Sequence, residues 1–412
     1  MIHRRHRQKN EIFRNTVRVA DGPLTHLRVL ELGTLIAGPF CGQLFGDMGA
    51  DVIKIEPPGI GDPMRSWGRG LPVWWPVIAR NKRCITLNLR IPAGQELLKR
   101  LLQDSDVLIE NFRPGTMEKW GLDYEALSTI NPGLVMVRVS GFGQSGPYSS
   151  RAGYGSIGEA MGGIRYLAGD PDRPPSRVGL SIGDSLAATF ACVGALAALH
   201  EKDRTGLGQV VDSAIYEAVL AVMESTVPEY TEGGEIRERS GAILPKTAPS
   251  NVYPTADDDS IVMGANQDSV FARLAEAMGD PSLAEDPDYA DHVSRGEHQE
   301  ELDELIGRWT VTLDADALLQ RLEAHGVPAG RIYRAPEMLD DPHFRARESI
   351  VDVDHPAFKS LKMQNIFPKL SRSQGKIRWP GPDLGEHNAE IYRDLLEISD
   401  ETLRDLIHDG VV

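Results

Sequence analysis

The stretch RVGLSIGDSLAATFACVGALAALHEKDRTGLGQVVD (residues 177–212) holds a long helix followed by a buried strand, a pairing that indicates an α/β fold. Residues 185–199 are small or apolar, rich in Ala and free of Pro, which predicts a helix. The segment RTGLG (residues 204–208) predicts a turn, and the valines at 210 and 211 begin a strand.

Asp184 precedes this Ala-rich helix, and two interpretations of it stay open. The free N–H groups and the dipole at a helix start favour an ionised carboxylate, and such an Asp on a rigid helix can act as a nucleophile. Asp is also a preferred N-cap, and a capping role alone would explain the residue. The rest of the chain has to decide between the two.

Earlier segments predict a parallel sheet. Residues 27–32 (LRVLEL) form a strand, GTLIAGPFCGQLFGDMG predicts a turn and a helix, and residues 51–55 form a second strand ending at Glu56. The glycines at 33, 38, 42 and 46 do not match the dinucleotide fingerprint, which argues against a nicotinamide enzyme. Two interpretations of this βαβ unit remain: a structural core unit, or a site for a different nucleotide-bearing ligand at the carboxyl ends of the strands.

The predicted strands end in segments suited to ligand binding. Turn or polar residues follow four strand ends, near Gly33, Glu56, Asn111 and Ser140. Because parallel strands present their carboxyl ends at one edge of a sheet, a pocket is expected there. Arg113 could pair with a phosphate at this edge, or act as a structural residue of the turn. The basic segment ARNKR (residues 79–83) is either a phosphate clamp or a solvated charged loop.

The amino-acid composition argues against several classes of binding partner. The formal net charge of −16 argues against nucleic acid and anionic membranes, and we find no run of about 18 apolar residues that would indicate a membrane span. The three cysteines (Cys41, Cys84 and Cys192) lie far apart without metal-site spacing, so we expect no metal site and a reducing cytoplasm.

The expected organisation is an α/β large domain with a Rossmann-like parallel sheet and a smaller α+β domain. We predict a disordered basic leader at residues 1–22. The family resemblance set out in the next paragraph implies the first part of the large domain at 23–235, the small domain at 236–335 and a return to the large domain at 336–412. Within the later part, the pattern predicts helices at 216–231, 269–278, 299–309 and 315–325, and strands at 250–255 and 260–264.

Eight segments, in order along nearly the whole chain, resemble the class III CoA-transferases (CaiB/BaiF family), which include formyl-CoA, carnitine and dicarboxylate transferases. They are LRVLELGTLIAGPF, GDMGADVIKIEPP, RNKRCITLNL, ENFRPG, VSGFGQSGP, GDSLAATFACVGALAALHEKDRTGLGQVVD, GVPAG and PGPDLGEHN. The resemblance implies an acyl-CoA:carboxylate CoA-transferase that forms aspartyl anhydride and aspartyl-CoA thioester intermediates. It also implies CoA and acyl-CoA as substrates with no permanently bound cofactor, a small carboxylic acid partner, and a homodimer whose subunits interlock like rings.

The same resemblance assigns roles to individual residues. Asp184 matches the catalytic nucleophile, and the remaining matches are CoA contacts or neighbours of the acyl group. The expected CoA-binding residues are Ile36, Ala37, Lys82, Arg83, Asn111, Arg113, Ser140 and Phe142, and the expected substrate-binding residues are Trp67 and Tyr154. Arginines 65, 69, 165 and 177 and Lys246 are candidates for binding a second carboxylate.

Departures from the family narrow the activity. Formyl-CoA transferases carry Gln at the position of Ile36, Lys at that of Ser140, and a run of four glycines where residues 240–249 have one. Formyl-CoA or oxalate specificity is therefore not supported. α-Methylacyl-CoA racemases carry a proton-shuttling His in the segment that holds Tyr154 here, which favours a transferase. A racemase-like isomerase and a non-catalytic CoA-binding scaffold remain as alternatives.

Overall fold

Six parallel strands form the central sheet of this protein, in the order β3-β2-β1-β4-β5-β6. The computed structural model describes residues 22–412, so the leader predicted at 1–22 lies outside the described residues except for Gly22. The strands are β1 (Arg28–Glu31), β2 (Asp51–Glu56), β3 (Lys82–Thr86), β4 (Val107–Glu110), β5 (Val135–Ser140) and β6 (Val210–Ala214). Their order confirms the Rossmann-like sheet, with the topological switch point between β1 and β4.

Helices cover both faces of this sheet. The helices between residues 37 and 220 are, in chain order, α1 (Ala37–Asp47), α2 (Trp74–Ile78), α3 (Pro92–Leu102), α4 (Thr116–Lys119), α5 (Tyr124–Ile130), α6 (Gly155–Met161), α7 (Ile164–Leu167), α8 (Ile182–Thr205) and α9 (Ile215–Leu220). The short helix α7 lies mostly outside the unit that holds this sheet. On one face, α1 and α8 bury Phe45 and Ala191 against strand residues such as Val137. On the other, α3 and α5 bury Leu98 and Leu127. Burial on both faces explains why β1, β2, β4 and β5 read as largely apolar runs. The prediction that β6 is buried is wrong for its first half, because β6 is an edge strand in which Val210 is 38% exposed.

The chain divides into two compact units. The first comprises the described residues up to Ile164, then Val178–Ser225 and Arg347–Val412, and the second comprises Arg165–Arg177 and Thr226–Ala346. The sequence analysis placed the boundaries after residues 235 and 335, and it contained no separate segment like Arg165–Arg177.

The second unit has its own sheet and core, as an α+β domain does. Strands β7 (Ser250–Pro254), β8 (Ser260–Gly264) and β9 (Ala329–Arg331) form an antiparallel sheet. Phe271, Leu302 and Leu318 are buried in its core. Its helices are α10 (Thr226–Gly233), α11 (Asp268–Met278), α12 (His292–Glu297), α13 (Gln299–Thr310), α14 (Ala315–Ala324), α15 (Ala335–Asp340) and α16 (Pro342–Ala346).

The end of the chain returns to the first unit. A hairpin of β10 (Ile350–His355) and β11 (Lys359–Gln364) comes first. A π-helical segment (Glu390–Leu395) and helix α17 (Asp400–His408) follow. Short 3₁₀ turns lie at Pro63–Ser66 and Pro281–Ala284.

The single helix predicted at 216–231 is wrong, because the chain forms α9 and α10 with a break between them. Glu224 in the break has φ = 52°, outside the helical region. Pro228 lacks an N–H group, and in a continuous helix its ring would clash with the carbonyl group of Glu224. The break therefore lies where the chain passes from the first unit to the second.

Candidate functional site

The carboxyl ends of β1 and β4 meet at the switch point, where ligands of doubly wound folds bind. Asn111, directly after β4, accepts a hydrogen bond from the backbone N–H of Thr34 (2.8 Å) and donates one to the carbonyl oxygen of Thr34 (2.9 Å). This reciprocal pair joins the loop after β1 to the loop after β4. Asn111, a predicted CoA-binding residue, therefore lies at the switch point. It is bonded to Thr34, which precedes Ile36 and Ala37 in the loop after β1.

The loop after β1 ends at the start of a helix. Ile36 is the N-cap residue of α1, and Ala37 is its first helical residue. Both side chains are buried, at 9% and 4% exposure. The backbone N–H groups of a first helical turn have no partner within the helix, and they attract negative charge. If Ile36 and Ala37 bind a ligand as predicted, they do so through backbone groups, because their side chains are buried.

The loop after β5 is linked to Arg113. The guanidinium of Arg113 donates to the carbonyl oxygen of Ser150 from Nε (3.2 Å) and from Nη2 (2.7 Å), and the residue is exposed. Ser140 Oγ accepts a hydrogen bond from the N–H of Gly143 (3.0 Å), which shapes the start of the same loop. Phe142 packs edge-on to Tyr148, with ring centroids 6.1 Å apart. Arg113 is accordingly oriented by the loop and still reaches solvent.

Asp184 is the third residue of helix α8, which begins earlier than predicted. The N-cap is Ser181, and Ile182 and Gly183 precede Asp184 in the first turn. The N-cap interpretation of Asp184 is therefore wrong. A carboxylate in a first turn is still stabilised by the helix dipole, so the electrostatic part of the argument for a nucleophile is retained.

The Asp184 carboxylate packs against Gly155, the first residue of helix α6. An ideal Cβ built on Gly155 would stand 2.3 Å from Asp184 Oδ2 and 2.8 Å from Asp184 Cγ. No real side chain could occupy that space without moving the carboxylate. Gly155 therefore defines one wall of the position that Asp184 occupies.

Glu159, one turn along α6, contacts the residue before Asp184. It is 1% exposed, and its Oε1 accepts the backbone N–H of Gly183 (3.3 Å). The sequence analysis missed helix α6, because its glycines lower helix propensity. Their positions at 155, 158 and 162 follow a helical spacing, which was the signal available for a close helix contact.

Lys82 and Arg83 have internal partners. Lys82 Nζ lies 2.7 Å from Glu31 Oε2 and donates to the carbonyl oxygen of Pro39 (2.6 Å). Arg83 pairs with Asp51 (2.6 Å) and Glu390 (2.7 Å). The solvated-loop interpretation of this segment is wrong, because both side chains are buried. Their role as CoA-binding residues stays a prediction, and a direct phosphate contact would have to displace these carboxylates.

The two predicted substrate-binding residues are exposed. Trp67 is 40% exposed and packs edge-on to Trp74, with ring centroids 5.7 Å apart. Tyr154 is 71% exposed and precedes α6. Among the candidates for a second carboxylate, Arg65 is already engaged, because it forms two hydrogen bonds of 2.7 Å with Glu56 and lies over the ring of Trp75.

Residues 22–412 also bear on two of the predictions made from composition, the absence of a metal site and of a membrane span. No group of three or more His, Cys, Asp and Glu side chains in this range could hold a metal ion. One helix, α8, is long and apolar enough by length and composition to cross a membrane, which the sequence analysis overlooked. Core helices of soluble proteins share this length and composition. Here α8 packs on the central sheet through residues such as Ala187 and Ala191.

This chain is similar to known proteins along nearly its whole length. The family model for CoA-transferase family III matches residues 24–388. The chain is 61% identical to the succinyl-CoA–D-citramalate CoA-transferase of Chloroflexus aurantiacus, over 92% of this chain and 96% of that protein. It is 41% identical to the succinyl-CoA–L-malate CoA-transferase beta subunit of the same organism, over 95% of this chain and 98% of that subunit.

A solved structure gives the same result. The crystal structure of a CaiB/BaiF family protein from Brucella suis superposes with a TM-score of 0.81 at 34% identity, covering 91% of this chain and all of that one (100%). The matches in sequence and in structure each extend over nearly the whole chain. The chain therefore belongs to CoA-transferase family III and is a CoA-transferase.

Proposed function

We propose that this enzyme transfers CoA from succinyl-CoA to D-citramalate, or to a closely related hydroxydicarboxylate, with Asp184 as the nucleophile. The observation that carries the choice of substrates is the 61% identity to the D-citramalate enzyme over 92% of the chain. The position of Asp184 in the first turn of α8 and against Gly155 supports the choice of nucleophile. Substitution of Tyr154 for the racemase His favours transfer over isomerisation.

In the first half of the reaction, CoA moves from the succinyl group to Asp184. The Asp184 carboxylate attacks the thioester carbonyl of succinyl-CoA, the C–S bond breaks, and a mixed aspartyl–succinyl anhydride forms beside a CoA thiolate. The thiolate then attacks the aspartyl carbonyl, which gives an aspartyl-CoA thioester and releases succinate. Holding the thiolate next to the anhydride makes the second attack effectively unimolecular.

The second half repeats these steps with the acceptor acid. A carboxylate of the acceptor attacks the aspartyl-CoA carbonyl, expels CoA thiolate and forms a new anhydride. The thiolate attacks the acyl carbonyl of that anhydride, which yields the new acyl-CoA and restores the Asp184 carboxylate. One thioester is exchanged for another, so the chemistry requires neither ATP nor a redox group.

Oxyanions form at each carbonyl attack, and the loop after β1 is suited to stabilise them. Ala37 begins helix α1, whose first-turn N–H groups point out of the helix. Donors held in place before the reaction are more effective than donors that must reorient. We assign the backbone at Ile36 and Ala37 to the thioester carbonyl on this basis.

CoA itself would lie along the carboxyl edge of the sheet. Arg113 is an exposed cation at that edge and is proposed to bind phosphate. Asn111, Ser140 and Phe142 are proposed to line the same path. For Lys82 and Arg83 we propose no direct contact with CoA, because both are buried in ion pairs.

We also propose a cytoplasmic homodimer with interlocked subunits. The family resemblance suggests this assembly, and helix α8 supports it. Phe190, Val193 and Leu196 lie on the face of α8 away from the sheet and are 43%, 58% and 39% exposed. An apolar face of this kind on a soluble enzyme is typical of a subunit interface.

Isotope exchange tests the proposed reaction. The protein is mixed with succinyl-CoA and labelled D-citramalate, and the products are separated by chromatography. We expect the label to appear in citramalyl-CoA. Unlabelled succinate should be released in an equal amount. Labelled L-malate and glutarate serve as competing acceptors. Exchange of solvent deuterium into the α-carbon of an acyl-CoA, without transfer of CoA, would contradict the proposal and favour the racemase-like alternative.

A further inference from the structure

Four charged side chains form a buried ion cluster at the base of the loop after β1. Glu31, Lys54, Asp62 and Lys82 are 0%, 1%, 1% and 0% exposed. Lys54 Nζ lies 3.1 Å from Glu31 Oε1 and 2.9 Å from Asp62 Oδ2, and Lys82 Nζ lies 2.7 Å from Glu31 Oε2. Two ammonium groups therefore face two carboxylates in a cluster with no net formal charge.

Contacts within the cluster favour the charged forms of Lys54 and Asp62. Burial by itself would lower the pKa of Lys54, but the carboxylates of Glu31 and Asp62 raise it above its ordinary value. Burial would raise the pKa of Asp62, but the Lys54 ammonium and the backbone N–H of Met64 lower it. For Lys82, burial lowers the pKa in spite of the Glu31 carboxylate.

Stability alone does not account for such a cluster. Removing charges from water costs several kcal/mol per ion, and well-packed apolar residues in place of a buried ion pair are often as stable or more so. The surrounding core is built of such residues, including Leu30, Ile53 and Ile85. A cluster of four buried ions in this core points to a geometric requirement.

Each member of the cluster contacts the loop or its flanks. Lys54 Nζ donates to the carbonyl oxygen of Gly33, Asp62 Oδ1 accepts the N–H of Leu35 (3.1 Å), and Lys82 donates to the carbonyl oxygen of Pro39 (2.6 Å). Glu31 is the last residue of β1 and leads directly into the loop. The backbone on both sides of Ile36, Ala37 and Gly38 is thus tied to the cluster.

The backbone here also carries local strain. Leu35 has φ = 63°, a left-handed conformation that costs a residue with a side chain of order 1 kcal/mol or more. Helix α1 approaches so closely that a Cβ on Gly42 would stand 2.0 Å from Glu31 Oε2. Such a conformation persists only where surrounding contacts impose it, and the cluster provides those contacts on either side.

We propose that the buried ion cluster is a positioning device for CoA transfer: it holds residues 33–39 so that the first-turn N–H groups of α1 face the thioester carbonyl. Glu31, Lys54, Asp62 and Lys82 are positioning residues that act through the backbone and do not touch the substrate. This inference rests on the proposed function, since it assigns the loop to the thioester.

A charge-balanced double variant tests the proposal. Glu31→Gln with Lys82→Met removes one anion and one cation, which leaves Lys54 paired with Asp62 and loses the tether to Pro39. Replacing both members of a buried pair is far less destabilising than removing one, so we expect a folded protein. Lys202→Met with Asp106→Asn is the control: this partly buried pair (2.8 Å) also removes one anion and one cation, and Asp106 directly precedes β4, at the amino ends of the strands.

Two readouts are compared with the parent protein. Without substrate, we expect hydrogen exchange of the amides in residues 33–40 to be at least about tenfold faster in the Glu31/Lys82 variant. We expect kcat to fall about 100-fold while KM for succinyl-CoA changes little, because displacing a catalytic group weakens binding of the transition state more than binding of the substrate. The control pair is expected to change neither quantity.

Three outcomes would overturn the proposal: parent-like exchange of the loop amides, parent-like kcat, or a Glu31/Lys82 variant that does not fold. The last would make the cluster a requirement for folding. A parent protein that transfers no CoA would contradict the proposed function. Parent-like exchange in the variant of a working enzyme would contradict only the positioning role.

Discussion

The carboxylate of Asp184 lies against the Cα of Gly155, at a place where a Cβ would stand only 2.3 Å from Asp184 Oδ2. Two helix starts meet here, because Gly155 begins α6 and Asp184 lies in the first turn of α8. The lack of a side chain on one helix therefore sets the position of the carboxylate on the other. Predictions about activity follow from this contact.

Gly155→Ala should disable the enzyme without unfolding it. Gly155 has a backbone conformation open to any residue, since its φ is not positive, and Ala favours a helix. The new methyl group would displace the Asp184 carboxylate, and a shift of about 1 Å can cost about 100-fold in kcat. Steady-state kinetics with circular dichroism measure the two effects separately.

The matched control for this variant is Gly307→Ala. Gly307 is also helical, and its added Cβ would meet nothing within 4 Å. We expect unchanged kcat and a free energy of unfolding higher by up to about 1 kcal/mol. Full activity in Gly155→Ala would show that the carboxylate position is not set by this contact.

Glu159 should matter through its hydrogen bond to the Gly183 N–H. Glu159→Ala leaves that buried N–H without its acceptor, at a cost of about 1–3 kcal/mol. The first turn of α8 then loosens and kcat falls. Glu159→Gln keeps an oxygen acceptor and should retain most of the activity. Equal losses of kcat in the two variants would instead attribute the effect to the charge of Glu159.

The ion pairs of Asp51 should produce a stability change in acid. Burial by itself raises the pKa of Asp51, but Arg83 and Arg28 lower it from 3.8 to about 2. A lowered carboxyl pKa contributes stability that is present above the unfolded-state value and is lost as the pH falls toward the folded-state value. The contribution is of order 2 kcal/mol at neutral pH.

Asp51→Asn tests this assignment by chemical denaturation at several pH values. The difference in unfolding free energy between the parent and the variant should be constant from pH 7 to about pH 5 and shrink between about pH 4 and pH 2. A difference that stays constant down to the lowest pH at which the parent folds would show that the pKa of Asp51 is not lowered.

The apolar face of α8 should be required for the proposed dimer. Val193 is 58% exposed on this face, and Val193→Glu would place a charge where a subunit is expected to pack. Light scattering after size-exclusion chromatography should give a dimer for the parent and a monomer or aggregate for the variant. Val193→Ala, which adds no charge, should remain a dimer. A dimeric Val193→Glu protein would place the interface elsewhere.

Local sequence patterns predicted much of the framework. Periodic apolar runs placed the strands of the central sheet, and the helix predicted at 269–278 corresponds to Asp268–Met278 in the structure. Asp184 became a candidate through its place before an Ala-rich helix, but its predicted role as nucleophile came from the family resemblance. These features depend on residues close in sequence, which is the information that periodicity contains.

The features missed by the sequence analysis depend on distant partners or on weak propensities. Nothing near Lys82 in the sequence indicates that Glu31 neutralises it inside the core. Charged residues within strands that are otherwise apolar, such as Glu31 and Lys54, were the available sign of a buried cluster. Helix α6 was not predicted because glycine disfavours helices. Its glycines are nevertheless required, since a Cβ at Gly155 or Gly158 would collide with the neighbouring residues.

The most direct test of the central claim is to trap the acyl intermediate on Asp184. The protein is mixed with succinyl-CoA and hydroxylamine, digested, and analysed by peptide mass spectrometry. Hydroxylamine attacks an activated aspartyl carbonyl and leaves a hydroxamate. We predict a hydroxamate on Asp184 that requires succinyl-CoA, and a loss of at least about 10⁴-fold in kcat for the control Asp184→Asn. An unmodified Asp184 in a protein that is transferring CoA would contradict the account.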